Sequence, residues 1–181
     1  MNRTTIPILG ICAAGSNAGK TTLITQLIPE LAKRNVRVSV IKHAHHQFDI
    51  DHPGKDSYQI RESGAVQTLI ASGKRWALMT EMIRTPLSSG EADLNELLKQ
   101  FNPDYADLIL VEGFKSAAVP KIEVYRASMN TPLLAASGAD IIAVASDIPL
   151  DLSLPTLDLN NISAIADFIM LEVLKLDSVN P

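Results

Sequence analysis

The residues whose types and spacing best suit phosphate chemistry lie at positions 14–22, which read AGSNAGKTT. This stretch follows an apolar run and precedes a segment with helical periodicity, which is the order in which a phosphate-binding loop works. Lys20 would contact the β and γ phosphates of a nucleoside triphosphate, and the Thr21 hydroxyl would bind Mg²⁺. The backbone N–H groups that would surround the phosphates belong to Gly15, Ser16, Asn17, Ala18, Gly19, Lys20, Thr21 and Thr22.

The loop departs from the general pattern G-x-x-x-x-G-K-[ST] at its first position. Gly19, Lys20 and Thr21 match the end of the pattern, but Ala14 stands where the first glycine belongs, and Gly15 comes one place later. The three matching residues are a weak signal by themselves, and the strand and helix around them strengthen it. The alternative is a glycine turn in which Lys20 and Thr21 only begin a solvated helix.

An acidic residue ends the apolar run in the segment DLILVEGF. Glu112 would supply a hard oxygen ligand to Mg²⁺, directly or through water, or would orient the attacking water. The alternative is an acid at a strand end that faces solvent. Gly113 favours a functional role, because a glycine lets the backbone pass close to a ligand.

A second acidic residue, Asp147, follows the apolar run IIAVAS. Its carboxylate can accept hydrogen bonds from both N1–H and N2–H of guanine, whereas it would repel the N1 lone pair of adenine. This favours GTP over ATP. The alternative is turn chemistry, which is common for an aspartate before Ile-Pro.

A polar loop after the second predicted strand contains all the histidines of the chain. One interpretation is a Zn²⁺ or Ni²⁺ site, which imidazole suits, although the spacing matches no structural zinc pattern. A second interpretation brings Asp49 or Asp51 to Mg²⁺ beside the γ phosphate, with Lys42, Lys55 and the histidines against another anionic ligand. A third is a solvated loop without a role. The residues available to a transition metal are His43, His45, His46, Asp49, Asp51 and His52.

Strands that alternate with helices must position these residues. Several of the strand candidates are apolar without alternation, as expected for strands covered on both faces. The order of elements predicts an α/β fold with a mostly parallel sheet, whose ligands gather at the carboxyl ends of the strands. The predicted strands are Ile6–Ala13, Val36–Lys42, Val66–Ala71, Trp76–Thr80, Asp107–Glu112, Lys121–Arg126 and Ile141–Ser146. The predicted helices are Lys20–Arg34, Ser57–Ser63, Glu91–Gln100 and Ile162–Leu176. The first should have a kink or a slightly irregular turn at Pro29.

Composition sets outer bounds on function. The 181 residues suit one domain over residues 1–181, and a formal net charge of −4 argues against general binding to nucleic acid or anionic lipid. The N-terminal apolar run leads into the glycine-rich loop rather than a signal-peptide cleavage site, and no segment has the length of a membrane span. Cys12 is the only cysteine, so we expect a buried small side chain in a protein of the reducing cytoplasm.

Five segments in this order resemble the family of the molybdopterin-guanine dinucleotide biosynthesis adaptor protein, MobB. They are GKTT, VIKHAHHQFDIDHPGKDSYQIRESGA, QTLIASGKRWALMTE, DLILVEGFK and IIAVASDIPL. The resemblance covers nearly the whole chain. The stretch from Lys42 to Ala65 is its most specific part, because many families share the phosphate loop.

The resemblance implies a P-loop NTPase-type three-layer α/β fold with a mostly parallel sheet and an antiparallel extension. It also implies GTP binding with at most slow hydrolysis, a homodimer, and a partnership with the guanylyltransferase that joins GMP to the molybdenum-bearing pterin. By matched motif, Gly19, Lys20 and Thr21 are the phosphate and Mg²⁺ contacts, and Glu112 is the acid of the Walker B strand. The resemblance leaves open whether the pterin, molybdopterin, contacts this chain. Arg75 and Trp76 could line a pterin surface, although a tryptophan on an apolar strand is more often a core residue.

Two other functions use the same phosphate loop. A small-molecule kinase would hold its acceptor at the histidine-rich loop. A nickel-insertion GTPase would bind Ni²⁺ there, through residues that include His45 and His46. The adaptor remains the leading interpretation, because the sequence has a full phosphate site but no water-orienting glutamine or arginine finger that can be assigned.

Overall fold

The chain divides into two compact units. The structure, a computed structural model, describes residues 6–44, 48–86, 91–136, 138 and 140–176. Unit 1 comprises Met1–His43 and Leu94–Pro181, and unit 2 comprises Ala44–Asp93. The single domain expected over residues 1–181 stays a prediction.

The described residues form eight strands and four α-helices. The strands are β1 (Ile8–Cys12), β2 (Val38–Lys42), β3 (Gln67–Ala71), β4 (Trp76–Thr80), β5 (Leu108–Glu112), β6 (Lys121–Tyr125), β7 (Ile141–Ser146) and β8 (Thr156–Asp158). The helices are α1 (Lys20–Ala32), α2 (Asp56–Glu62), α3 (Leu94–Leu98) and α4 (Ile162–Phe168), which continues as a π-helical turn, Ile169–Val173. None of the helices formed by the described residues is long and apolar enough to cross a membrane.

Unit 1 contains a sheet of six strands in the order β2-β5-β1-β6-β7-β8. Every pairing described in it is parallel. Parallel strands need crossover connections, and the helices of these crossovers cover the faces of the sheet. The α/β fold class with a mostly parallel sheet is therefore confirmed.

The strands of unit 1 are apolar because the sheet is buried on both faces. All five residues of β5 are buried, and alternate residues join different cores. Leu110 packs with Leu27 of α1 and Ile165 of α4 on one face, whereas Ile109 and Val111 pack towards Leu94 of α3 on the other. The three-layer arrangement follows from this alternation.

The first helix begins at the phosphate loop and is amphipathic. Its buried residues are Leu23, Ile24, Leu27 and Leu31. The helix continues through Pro29 and ends at Ala32, two residues before the predicted end. Pro29 is exposed, so the carbonyl that loses its N–H partner to the proline has access to water.

Unit 2 contains α2 and a separate two-stranded antiparallel sheet of β3 and β4. The predicted antiparallel part is thus a sheet of its own. Unit 2 is held together by polar contacts around Arg61, which pairs with Asp49 and Glu81 and lies over the ring of Tyr58. None of the buried apolar residues in the described ranges belongs to unit 2.

The predicted elements agree with the structure to within two residues at each end, except in three places. The predicted helix over residues 162–176 is α-helical only over Ile162–Phe168 and continues as a π-helical turn, Ile169–Val173. Thr156–Asp158 forms an edge strand that was not predicted, because three residues are too short for a periodicity to show. The predicted helix over residues 91–100 is shorter, since α3 spans only Leu94–Leu98.

Candidate functional site

The candidate site lies at the carboxyl edge of the sheet in unit 1. Strand β1 pairs with β5 on one side and β6 on the other, and β5 pairs with β2. Because these pairings are parallel, the residues that follow each strand meet at one edge. The loop after β1 therefore lies between the ends of β5 and β6, with Glu112 on one side and Arg126 on the other.

The loop after β1 has the backbone shape of an anion-binding turn. Asn17 has φ of 64° and Gly19 has φ of 101°, both in the left-handed region. Glycine and asparagine adopt this region more readily than other residues, and alternating right- and left-handed conformations direct successive N–H groups into one concavity. Gly19 caps the N-terminus of α1, whose partial positive charge adds to the attraction for an anion.

The lysine of the loop lies back over it. Lys20 Nζ donates to the backbone carbonyl of Gly15, at 3.3 Å. This contact holds the ammonium above the concavity of the loop rather than in solvent. A phosphate in the concavity would meet both the ammonium and the backbone N–H groups.

Thr21, Glu112 and Lys42 form a cluster beside the loop. The Thr21 hydroxyl donates to the Glu112 carboxylate, at 2.9 Å from Oε1 and 3.2 Å from Oε2. Lys42 Nζ lies 3.2 Å from Thr21 Oγ1 and 3.3 Å from Glu112 Oε2. The structure thus brings together two of the four residues predicted to bind Mg²⁺, Thr21 and Glu112, and it adds a lysine to them.

Hydroxyl and carboxylate oxygens are the ligands that Mg²⁺ prefers. Thr21 and Glu112 fit this cation, because the two side chains converge at hydrogen-bond distance. Among the described residues, no group of three or more His, Cys, Asp or Glu side chains could hold a metal ion. His45 and His46 lie outside the described residues, so the transition-metal interpretation stays a hypothesis.

Two further cations contact the phosphate loop, and sequence reasoning missed both. Lys115 Nζ donates to the carbonyl of Ala14, at 3.1 Å, and Arg126 Nε donates to the carbonyl of Ala18, at 3.2 Å. Each follows the carboxyl end of a strand next to β1. A lysine or arginine at such a place is a usable signal, but only once the strand order is known.

Asp147 lies at the end of β7 and contacts the connection that follows β6. Its Oδ1 accepts a hydrogen bond from the backbone N–H of Ala127, at 2.9 Å, and its Oδ2 lies 3.7 Å from Arg126 Nη1. Each carboxylate oxygen has two lone pairs, so acceptor capacity remains. Its role as reader of guanine stays a prediction.

A cleft of about 170 Å³ adjoins the loop on the side of Arg126. Its walls combine apolar and amide side chains, from the first two turns of α1 and from the segment between β8 and α4. Among the described residues, the side-chain amides of Gln26 and Asn160 have no protein partner, so both are available to a ligand. Lining residues include Gly19, Thr22, Gln26, Arg126, Leu159 and Asn160.

Gly113 lies close to the end of β2, and a contact of its backbone with a ligand stays a prediction. Gly113 has φ of 98°, and a Cβ at this position would lie 2.7 Å from the Cβ of His43. The His43 ring stacks on Phe114, with ring centroids 5.0 Å apart. The glycine therefore lets the ends of β5 and β2 lie close to each other. This closeness sets the distance between Glu112 and Lys42.

Asp49 and Asp51 belong to unit 2. Asp49 accepts hydrogen bonds from the Asp51 backbone N–H and from Arg61. Asp51 is 8% exposed, and its Oδ1 accepts from the His52 backbone N–H and from the Ser57 hydroxyl, whereas its buried Oδ2 has no described partner. Both carboxylates organise the start of α2, and their contact with Mg²⁺ stays a prediction.

The chain matches known proteins over most of its length. The model of the family "Molybdopterin guanine dinucleotide synthesis protein B" matches residues 8–147. The molybdopterin-guanine dinucleotide biosynthesis adapter protein of Escherichia coli is 47% identical over 169 residues, which cover 93% of this chain and 94% of that protein. The adapter protein of Haemophilus influenzae is 46% identical over 164 residues, covering 91% of this chain and 88% of that protein. A crystal structure of molybdopterin-guanine biosynthesis protein B superposes with a TM-score of 0.68 at 31% identity, covering 90% of this chain and 97% of the other.

Proposed function

Because the chain belongs to the family of molybdopterin guanine dinucleotide synthesis protein B, we propose that it is a GTP-binding adaptor in the synthesis of this dinucleotide. It would bring GTP to the guanylyltransferase that joins GMP to the molybdenum-bearing pterin. Its homologues in Escherichia coli and Haemophilus influenzae are named as adapter proteins of this biosynthesis. An adaptor holds its ligand and leaves the chemistry to the partner.

The observation that carries this proposal is the contact of Thr21 with Glu112, at 2.9 Å. It joins the phosphate loop to the acid at the end of the neighbouring strand, and phosphate-binding proteins hold a metal between such residues. Six charged side chains around the loop carry four positive charges and two negative ones. This local excess suits a triphosphate, although the whole chain has a net charge of −4.

Thr21 and Glu112 would hold the Mg²⁺ that accompanies the nucleotide, Thr21 through its hydroxyl and Glu112 directly or through water. When bound, this cation neutralises charge on the β and γ phosphates. Lys20 would meet the same phosphates from above the loop. The N–H groups of residues 15–22 would surround them.

The nucleoside would extend from the loop into the cleft beside Arg126. Leu159 offers an apolar wall to a base, and the Asn160 amide offers a donor and an acceptor. Asp147 would select guanine by accepting hydrogen bonds from the N1–H and N2–H groups of the base.

Hydrolysis should be slow. The contacts described around the loop would hold phosphate and metal, and fast GTPases need in addition a positioned water and an arginine that stabilises the transition state. Arg126 is engaged with Ala18 and Asp147. GTP turnover above about 1 per second by the purified protein alone would contradict the adaptor role.

A homodimer is part of the proposal, and unit 2 supports it. Ten of the fifteen large apolar side chains that are exposed in the described residues belong to unit 2. On one face of its sheet, Leu69 is 59% exposed, Trp76 is 59% exposed and Leu78 is 38% exposed. A second copy would cover this face, since a patch of this kind marks an interaction site. Trp76 is thus not a core residue of the chain.

Calorimetric titration with GTP and with ATP tests the nucleotide. GTP should bind in the presence of Mg²⁺ and ATP should bind more weakly, by about tenfold or more. The adaptor role needs a second assay, in which the guanylyltransferase forms the dinucleotide with and without this protein. Product formation should rise with the wild type and not with Lys20→Ala, and an equal yield in all three reactions would refute the adaptor role. The proposed location, the cytoplasm, follows from that partnership.

A further inference from the structure

We propose that the Lys42 ammonium occupies the place of the divalent cation and competes with it for Thr21 and Glu112. Lys42 would therefore hold the metal ligands in position before nucleotide arrives and would make Mg²⁺ binding depend on the nucleotide. The inference deepens the proposed function and rests on it for the identity of the nucleotide. Its geometry belongs entirely to unit 1.

The three side chains form a closed triangle. Lys42 Nζ lies 3.2 Å from Thr21 Oγ1 and 3.3 Å from Glu112 Oε2, and Thr21 Oγ1 lies 2.9 Å from Glu112 Oε1. The two oxygen-bearing groups that would bind Mg²⁺ are thus the same two groups that contact the ammonium. No other described residue contacts the Lys42 ammonium, so its position is set by this pair alone.

The charge of Glu112 explains why a cation is needed there. Its side chain is only 10% exposed, and a carboxylate held away from water needs a partner. A lysine ammonium is a compact point charge with three donors, so it can contact a carboxylate and a hydroxyl at once. Before nucleotide binds, Lys42 is the charge that balances Glu112.

A metal ion and the ammonium cannot share this place. Mg²⁺ binds oxygen at about 2.0–2.1 Å, so a metal between Thr21 and Glu112 would lie within contact distance of the ammonium nitrogen. A doubly charged ion beside a singly charged one is repelled, and Glu112 cannot satisfy both. The Lys42 side chain is 55% exposed and has a flexible stem, so metal entry would displace it rather than move a strand.

A bound triphosphate would make Thr21 and Glu112 favour Mg²⁺ over the Lys42 ammonium. It supplies further oxygen ligands to the metal, and it gives the displaced ammonium a new anionic partner beside the loop. Metal binding without nucleotide should then be weak, and metal binding with nucleotide should be strong. Removing the Lys42 charge should relieve the competition in the free protein.

The test uses Mn²⁺, an electron-spin-resonance probe that takes the same oxygen ligands, on the nucleotide-free chain. Lys42→Met keeps most of the aliphatic stem and removes the charge, so it should bind Mn²⁺ about tenfold more tightly than the wild type. Lys42→Arg restores a positive charge and should return the affinity towards that of the wild type. The gain should disappear when Thr21→Val is added to Lys42→Met.

Lys33→Met is the matched control, because it removes a lysine charge of unit 1 that contacts neither metal ligand. Its Mn²⁺ affinity should stay within about twofold of the wild type, since its ammonium lies 2.8 Å from Glu30 and its side chain is 73% exposed, so that solvent screens the charge. The inference is overturned if Lys42→Met binds Mn²⁺ no better than the wild type, or if Lys33→Met gains as much. Neither result depends on GTP. A wild type that binds no GTP would contradict the proposed function alone.

Discussion

At the scale of single residues, the candidate site depends on side chains that contact the backbone of one loop. Lys20, Lys115 and Arg126 each donate to a carbonyl of residues 14–18. These contacts orient the charges before any ligand is present, so less conformational entropy is lost on binding. Their substitutions should therefore change affinity more than stability.

Lys20→Ala should lower GTP affinity about 100-fold or more and leave the fold intact, because charge-assisted contacts to phosphate are lost while no core packing changes. Calorimetric titration measures the affinity, and thermal unfolding without nucleotide measures the stability. Thr25→Ala, on an exposed position one turn further along α1, is the matched control and should bind GTP as the wild type does. Equal affinities of Lys20→Ala and the wild type would remove the phosphate role of the loop.

Cys12 is 5% exposed, which confirms that it is a buried side chain. Burial, with a smaller contribution from the charge of Glu123, raises the pKa of the Cys12 thiol from 9.0 to about 11. The folded state therefore keeps a proton that the unfolded state loses above pH 9, so this thiol makes the protein less stable as pH rises from 9 towards 11.

The pH dependence of unfolding checks this. Between pH 8 and pH 10 the wild type should lose about 1 kcal/mol more stability than Cys12→Ala, which has no thiol to ionise. Urea unfolding at each pH gives the two free energies. Parallel curves for the two proteins would show that the thiol ionises equally in both states, against the direction stated here.

At the scale of elements, the connection between β6 and β7 supports the phosphate loop from behind. A Cβ on Gly15 would lie 3.6 Å from Met129 and 3.7 Å from Thr131, so this connection already lies against the loop. Glu123 of β6 anchors the connection, because its carboxylate accepts the backbone N–H groups of Leu134 and Ala135, both at 2.8 Å. A buried acid in the middle of an apolar strand thus has a structural cause.

Glu123→Gln should destabilise the protein by about 1–3 kcal/mol, because one carboxylate oxygen becomes an NH₂ group that cannot accept a hydrogen bond from a buried N–H. Urea unfolding measures the loss. Glu172→Gln removes a carboxylate whose side chain is 56% exposed and should cost less than about 1 kcal/mol. If both substitutions cost the same, Glu123 does not anchor the connection.

At the scale of the whole molecule, the two units differ in what stabilises them. Unit 1 contains all the buried apolar residues of the described chain, whereas ten of the fifteen exposed large apolar side chains in the described residues belong to unit 2. A unit of this size without a buried core is marginal on its own, because too little apolar surface leaves water. A second copy at the β3–β4 face would supply what unit 2 lacks.

Replacing Leu69 and Trp76 by serine should weaken self-association about tenfold or more, since large buried side chains dominate the energy of interfaces. Sedimentation equilibrium over a range of concentrations measures the dissociation constant. Tyr105→Ser, at a site in unit 1 that is 66% exposed, serves as the comparison and should leave the association unchanged. A double variant that associates like the wild type would exclude this face from the dimer.

The sequence alone determined most of the elements and the position of the loop. Continuous apolar runs predicted β1, β5 and β7, and apolar residues at the 3.6-residue spacing of a helix predicted α1. The sequence G-K-T at the start of α1 predicted a phosphate site. These are local properties, because periodicity and loop chemistry depend on neighbours along the chain. Glu112 could be named for the same reason, since it ends an apolar strand.

Only the tertiary structure decided which strand ends meet. Lys42, Lys115 and Arg126 join the loop because β1 lies between β5 and β6, with β2 next to β5, an order that no local pattern contains. It also showed that Gly113 makes room for His43 and that Trp76 is exposed. Contacts between residues far apart in the chain arise from how the sheet is assembled, and that assembly is a property of the packed molecule rather than of any one segment.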